Sequence, residues 1–128
     1  MDMTAALAAP DRSHQKCGKL AEHLARIGDR WTLPVVVTLL EGPLRFNQLR
    51  RGVVGISQQM LTRTLRALER DGMVDRTVHP TVPPQVVYEL TALGLSLGDQ
   101  ALRIGTWIGT HIETIETARV AFDARQEA

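Results

Sequence analysis

Ser57-Gln58-Gln59-Met60-Leu61-Thr62-Arg63-Thr64-Leu65-Arg66-Ala67-Leu68-Glu69-Arg70-Asp71-Gly72 is the stretch whose reading decides the fold. An α-helix turns by about 100° per residue, so Leu61, Leu65 and Leu68 fall within about 60° of one another. Gln59, Thr62, Arg63, Arg66 and Arg70 gather on the opposite side. Ser57 is a favoured N-cap, because its hydroxyl can accept from the unpaired N–H groups of the first turn, and Gly72 tolerates the positive φ that ends a helix. Arginine and glutamine make paired hydrogen bonds to guanine and adenine edges, and threonine contacts a base or a phosphate. The outer face is therefore expected to be that of a recognition helix. The alternative is a merely solvated charged face. Context favours the first: residues 43–70 carry six arginines (Arg45, Arg50, Arg51, Arg63, Arg66, Arg70) against one acid, Glu69.

The positive charge is local, since the whole chain of 128 residues has a formal net charge of only +1. That length fits one domain with a modest core, and 44% apolar with 23% charged residues is globular composition. A single cysteine excludes an intramolecular disulfide. With no signal-peptide pattern, the expected compartment is the reducing cytoplasm. The longest apolar stretch, residues 33–40, is far short of the roughly 20 residues that span a bilayer, so no membrane partner is expected.

Working outward from the central helix, residues 1–15 show no sustained period and are expected to form a loose arm. Leu20, Leu24 and Ile27 recur at i, i+4, i+7 and predict a short first helix over residues 19–27, ended by Gly28. Asp29 can cap a second element over residues 31–40. There Val35-Val36-Val37-Thr38 suits strand or helix, and Pro34 argues for a delayed start or a kink. Its length and the closing Glu41-Gly42-Pro43 favour a helix. Residues 45–51 predict a short helix with Phe46 and Leu49 inward, followed by a turn containing Gly52 and Gly55. Short helix, glycine-containing turn and longer arginine-faced helix make a helix-turn-helix.

Beyond Gly72 the period becomes two. Val74 and Val78, then Val86, Tyr88 and Leu90 across Pro80-Thr81-Val82-Pro83-Pro84, predict a β-hairpin with a stiff tip. From Thr91 to about Phe122 the pattern is helical again, with Ile104, Ile108, Ile112 and Ile115 in a stripe. The stripe needs a cover. One reading packs it back on the first helix of the same chain; the favoured reading is a two-fold dimer seam built with that helix. Leu20, Leu24, Ile104, Trp107, Ile108, Ile112 and Ile115 are its expected residues. Gly105 and Gly109 would admit another backbone closely. The expected fold class is α+β, mostly helical: a winged helix-turn-helix with an added long C-terminal dimerisation helix. Its parts are an arm (1–15), a DNA-binding core (16–92) and the dimerisation helix and tail (93–128), one domain in all.

The blocks Ile27-Gly28-Asp29-Arg30-Trp31-Thr32, Leu40-Glu41-Gly42-Pro43-Leu44-Arg45-Phe46, Gly55-Ile56-Ser57-Gln58-Gln59-Met60-Leu61-Thr62, Leu65-Arg66-Ala67-Leu68-Glu69-Arg70-Asp71-Gly72-Met73-Val74 and Val82-Pro83-Pro84-Gln85-Val86-Val87-Tyr88-Glu89-Leu90-Thr91-Ala92-Leu93-Gly94 together resemble the HxlR-type winged helix-turn-helix transcription regulators of bacteria. The resemblance implies a homodimer that inserts each central helix into successive major grooves of a near-palindromic operator on double-stranded DNA. It further implies that Gln58, Gln59, Thr62 and Arg63 read bases, while Arg45, Ser57, Arg66, Arg76 and His79 fix register on phosphates. For Arg76 and His79 the alternative is plain strand exposure, and Arg70 is the least expected contact.

Many members of that family sense electrophiles or oxidants through a cysteine at the start of the first helix, which makes Cys17 a redox-sensing candidate. Cys17 stands one residue farther from Trp31 than the family's cysteine does from its tryptophan, and Gly18 follows it where the family has proline. An inert cysteine is the other reading. His14, His23, His79 and His111 have no i, i+3 or i, i+4 pairing, so neither a metal nor a cofactor is expected. No nucleophile elbow or phosphate-cradling loop is present, and the chain is not expected to be an enzyme. Two classes remain: a DNA-binding repressor or activator, and a winged-helix protein-interaction module or small-molecule-responsive regulator without thiol sensing. The near acid-free arginine and glutamine face, with only 4% aromatic residues, favours the first.

Overall fold

The computed structural model describes residues 14–127, with side chains from residue 18 onward. In chain order the elements are α1 (His14–Ile27), α2 (Thr32–Leu39), β1 (Leu44–Arg45), α3 (Phe46–Gly52), α4 (Gln58–Arg70), β2 (Val74–His79), β3 (Gln85–Leu90) and α5 (Ala92–Glu127). Most of the expected arm lies outside the described residues. Helix α1 starts at His14, five residues before its first expected position. The apolar period could not locate that start, because the run His14-Gln15-Lys16 ahead of Leu20 offers no apolar position from which a period can be read.

The second element is a helix, and Asp29 holds its amino end. One carboxylate oxygen of Asp29 accepts from the backbone N–H groups of Trp31 and Thr32, each at 2.8 Å. The Thr32 hydroxyl donates to the Arg26 carbonyl at 3.1 Å, tying the end of α1 to the start of α2. Pro34 is the third residue of α2. A first-turn N–H has no partner within its helix, so proline costs no hydrogen bond there, and the helix begins two residues ahead of it without the delay.

The core is one cluster: Val35, Val36 and Leu39 of α2, Leu49 of α3, Val53 and Ile56 of the turn, Leu61, Leu65 and Leu68 of α4, and Val74 and Leu90 from the hairpin root. A three-stranded antiparallel sheet of order β1-β3-β2 closes one side. Its edge strand β1, where Leu44 opposes Tyr88 and Arg45 opposes Val87, did not emerge from the sequence, since two residues carry no readable alternation. The hairpin itself is as expected, Val74 opposing Leu90 and His79 opposing Gln85. Only its root is buried: Val78 is 49% exposed and the outer end projects from the core.

Helix α5 has 36 residues, so it is about 54 Å long at 1.5 Å per residue. Its first third packs on the core through small residues. A Cβ on Gly98 would lie 2.6 Å from a Leu40 methyl, and Ala101 is buried. Beyond Ala101 the helix leaves the core, and its apolar residues stay open. Replacing Leu61, which is fully buried, with alanine is expected to cost about 2 to 5 kcal/mol. Urea unfolding checks this; a loss under about 1 kcal/mol would place α4 outside the core.

Candidate nucleic-acid interface

Helix α4 is oriented by what it buries. Leu61, Thr64, Leu65 and Leu68 face the core, so Gln58, Gln59, Thr62, Arg63 and Arg66 are exposed on the other side. Ser57 caps the helix, its hydroxyl accepting from the Met60 N–H at 3.1 Å. The hydroxyl proton of Ser57 stays available to donate outward. At the other end, Met73 N–H donates to the Leu68 carbonyl at 2.9 Å and Gly72 N–H to the Glu69 carbonyl at 3.1 Å. This Schellman arrangement requires the φ of +75° that Gly72 adopts.

Three concavities lie along α4, α3 and the hairpin. The first is lined by Gln58, Gln59, Thr62, Arg63 and Arg66 alone. The second runs from Thr62 and Arg66 to Arg76 and Tyr88, joining α4 to the hairpin. The third holds Arg45, Asn47, Gln48 and Arg51 against Pro83, Pro84 and Gln85, so the hairpin tip lies beside α3. The α3 amino end is fixed locally, the Gln48 side chain accepting from the Arg45 N–H at 2.8 Å. Seven of the nine expected DNA-facing residues line one or another of these concavities, six of them in the first two, which share Thr62 and Arg66. Ser57 sits at the margin as the cap, and His79 is exposed at the end of β2 but lines none of the three.

Arg70, on the arginine side of α4 in helical projection but the least expected contact, lines a separate polar depression with Glu22, His23, Arg26, Asp29 and Asp71, between α1 and the end of α4. Asn47 and Gln85 line the third concavity beside Arg51, whose place in the arginine-rich segment is legible in the sequence; nothing local marks the other two, which meet it where β1 pairs with β3.

The electrostatics of the face follow from what is missing around it. Among the described residues the ion pairs are Arg103 with Asp99 and Arg119 with Glu116, both on α5. Within that same set, none of Arg45, Arg51, Arg63, Arg66 and Arg76, the arginines that line the three concavities, is paired with a carboxylate, and Glu69 is the one acid in their linings. Unpaired guanidinium groups in such excess make a standing positive potential, the footprint expected of a surface for a polyanion. No cluster of three or more metal-ligating side chains occurs among the described residues, and no helix among them is long and apolar enough to cross a membrane.

A helix-turn-helix whose second helix offers glutamine and arginine outward, flanked by a hairpin wing, defines a DNA-binding winged helix-turn-helix regulator. Residues 26–116 match the HxlR-like helix-turn-helix family, and the chain belongs to it. The uncharacterised HTH-type transcriptional regulator YtfH of Escherichia coli (strain K12) is 38% identical over 98 residues, 77% of this chain and 78% of its own. Among solved structures, the redox regulator HypR in its reduced form superposes with a TM-score of 0.71 at 36% identity, covering 77% of this chain and 98% of that one. Diamide-treated YodB from B. subtilis superposes at 0.64 with 32% identity, covering 73% and 93%. The family is one of transcriptional regulators, not enzymes.

Proposed function

We propose that two copies of this chain form a regulator that sets its α4 helices into successive major grooves of a near-palindromic operator. The observation that carries the reading is the first concavity: five exposed side chains able to pair with base edges or phosphates, with no carboxylate among them. In this role Gln58, Gln59, Thr62 and Arg63, in the first half of α4, read bases. Arg45, Ser57, Arg66, Arg76 and His79 hold the register on phosphates, with His79 reaching from the wing. The core of residues 16–92 binds DNA and the segment 93–128 joins the copies. The regulator works in the cytoplasm, where it acts as a repressor if the operator overlaps a promoter.

The partner is a second copy because α5 leaves so much apolar surface open. Ile104, Trp107, Ile108 and Ile112 are each 44% to 55% exposed, Leu24 on α1 is 38% exposed, and Leu20 and Ile115 are half-buried. In the isolated chain α1 leaves these residues uncovered, which supports a two-fold seam over folding back within one chain. Outside the backbone of α5 itself, no atom lies within 4 Å of where a Cβ would stand on Gly105 or Gly109, so another backbone can approach there.

Control by oxidants is supported by the redox regulator HypR and diamide-treated YodB among similar structures, and by Cys17 being the fourth residue of α1. Its side chain lies outside the described residues. The chemistry proposed is an electrophile adding to the thiolate, or two Cys17 thiols giving two electrons and two protons to an oxidant to form an intersubunit disulfide. Either event alters the seam and releases DNA.

Arg63→Ala is expected to weaken operator binding by about 1 to 3 kcal/mol and to relax one base position. Competition with mutated operators checks this, and unchanged discrimination would exclude base reading by Arg63. Wild-type affinity should fall with salt at a log–log slope of about −0.9 per phosphate contact; a flat dependence would favour a protein partner. Ile108→Asp should give monomers in sedimentation with loss of operator binding, and a persisting dimer would take α5 out of the seam. Cys17→Ser should bind DNA normally yet resist release by diamide. If diamide never releases the wild type, thiol control is wrong.

A further inference from the structure

The end of α4 and the start of α5 meet at one residue. The Thr91 hydroxyl donates to the Gly72 carbonyl at 2.7 Å and accepts from the Gly94 N–H at 3.1 Å. The Thr91 N–H donates to the Met73 carbonyl at 3.0 Å. A single side chain thus ties the carbonyl that terminates the recognition helix to the N–H that opens the long helix. Gly94 reinforces the contact, since a Cβ there would come within 2.1 Å of the Met73 carbonyl oxygen. The wing is rooted on the same spot, because Val74 opposes Leu90, the residue before Thr91.

We infer that this junction sets the half-site spacing the dimer accepts, with Thr91 and Gly94 as positioning residues for operator geometry. The inference rests on the proposed function, and adds a determinant of specificity that touches no base. With α5 held in a dimer seam, the junction is the hinge point from which each α4 projects. Helix α4 has 13 residues, about 20 Å at 1.5 Å per residue. A tilt of about 10° at its carboxyl end therefore moves its amino end by about 3.4 Å, the rise of one base pair along a strand. The buried leucines fix which face of α4 turns inward, and three hydrogen bonds with a contact that only glycine permits fix the angle at its carboxyl end. Loosening them blurs the spacing by about one base pair in each half-site and leaves base preferences intact.

The test uses Thr91→Val, which keeps the shape and removes the hydroxyl; Thr91→Ala, which removes it without new bulk should the valine variant fail to fold; and Thr91→Ser, which restores it. Operators with fixed half-sites and spacers varied by single base pairs are ranked by affinity. In parallel, spin labels at Gln58→Cys, the first residue of α4, in a Cys17→Ser background report the distance between the amino ends of the two α4 helices without DNA. The hydroxyl-free variants should lose about fivefold to tenfold in affinity for the preferred spacer. They should bind neighbouring spacers comparatively better, keep their base preferences within half-sites, and broaden the inter-label distance. Thr91→Ser should match the wild type in all four. Equal loss at every spacer, or an unchanged distance distribution, overturns the inference while leaving the DNA-binding reading in place. A wild type with no inter-label distance, or one that selects no duplex, overturns the proposed function and the junction's role with it.

Discussion

The structure depends on the burial of Leu61, Leu65 and Leu68 against Val35, Val36 and Leu39 of α2. Each fully buried leucine contributes about 1.5 to 3 kcal/mol, so the three together outweigh the fraction of a kcal/mol typical of an exposed charge pair. That difference decides which side of α4 faces in. Once it is decided, Gln58, Gln59, Thr62, Arg63 and Arg66 face solvent, since a helix offers them no other direction. The repulsion among their neighbouring guanidinium groups is weak in water and becomes favourable only beside a polyanion.

Much of this could be read from the chain because it is written in short-range terms. Leucine spacing, the Ser57 cap and the Gly72 stop each act within one helix, and period-two alternation marked both strands of the wing. The second helix was legible through Asp29 and the Glu41-Gly42-Pro43 close, while Pro34 misled only until its place in the first turn was fixed. What could not be read is what depends on how elements meet. Strand β1 exists because β3 offers it an edge, and with it come Asn47 and Gln85 beside the wing tip. The acidic company that Arg70 keeps beside α1 has the same origin, since a helical projection gives a residue's angle but not what stands opposite it.

Helix α5 gives the molecule two scales. Up to Ala101 it is a core element seated on Leu40 through Gly98, and afterwards it stands free of the core with an open apolar stripe. The match to the family covers residues 26–116, while α5 continues to Glu127. One helix therefore serves both the fold and the proposed pairing of copies. A disturbance in the seam then has a short covalent and hydrogen-bonded route, through Thr91, to the end of the recognition helix.

The central claim is that α4 lies in the major groove, and guanine N7 methylation tests it most directly because that atom faces the major groove alone. DNA selected by the protein from a random pool, methylated lightly with dimethyl sulfate, should lose binding at guanines in two clusters about 10 base pairs apart on one face of the duplex. Binding indifferent to methylation at every guanine of the selected site, or sensitive only to minor-groove modification, would contradict the account.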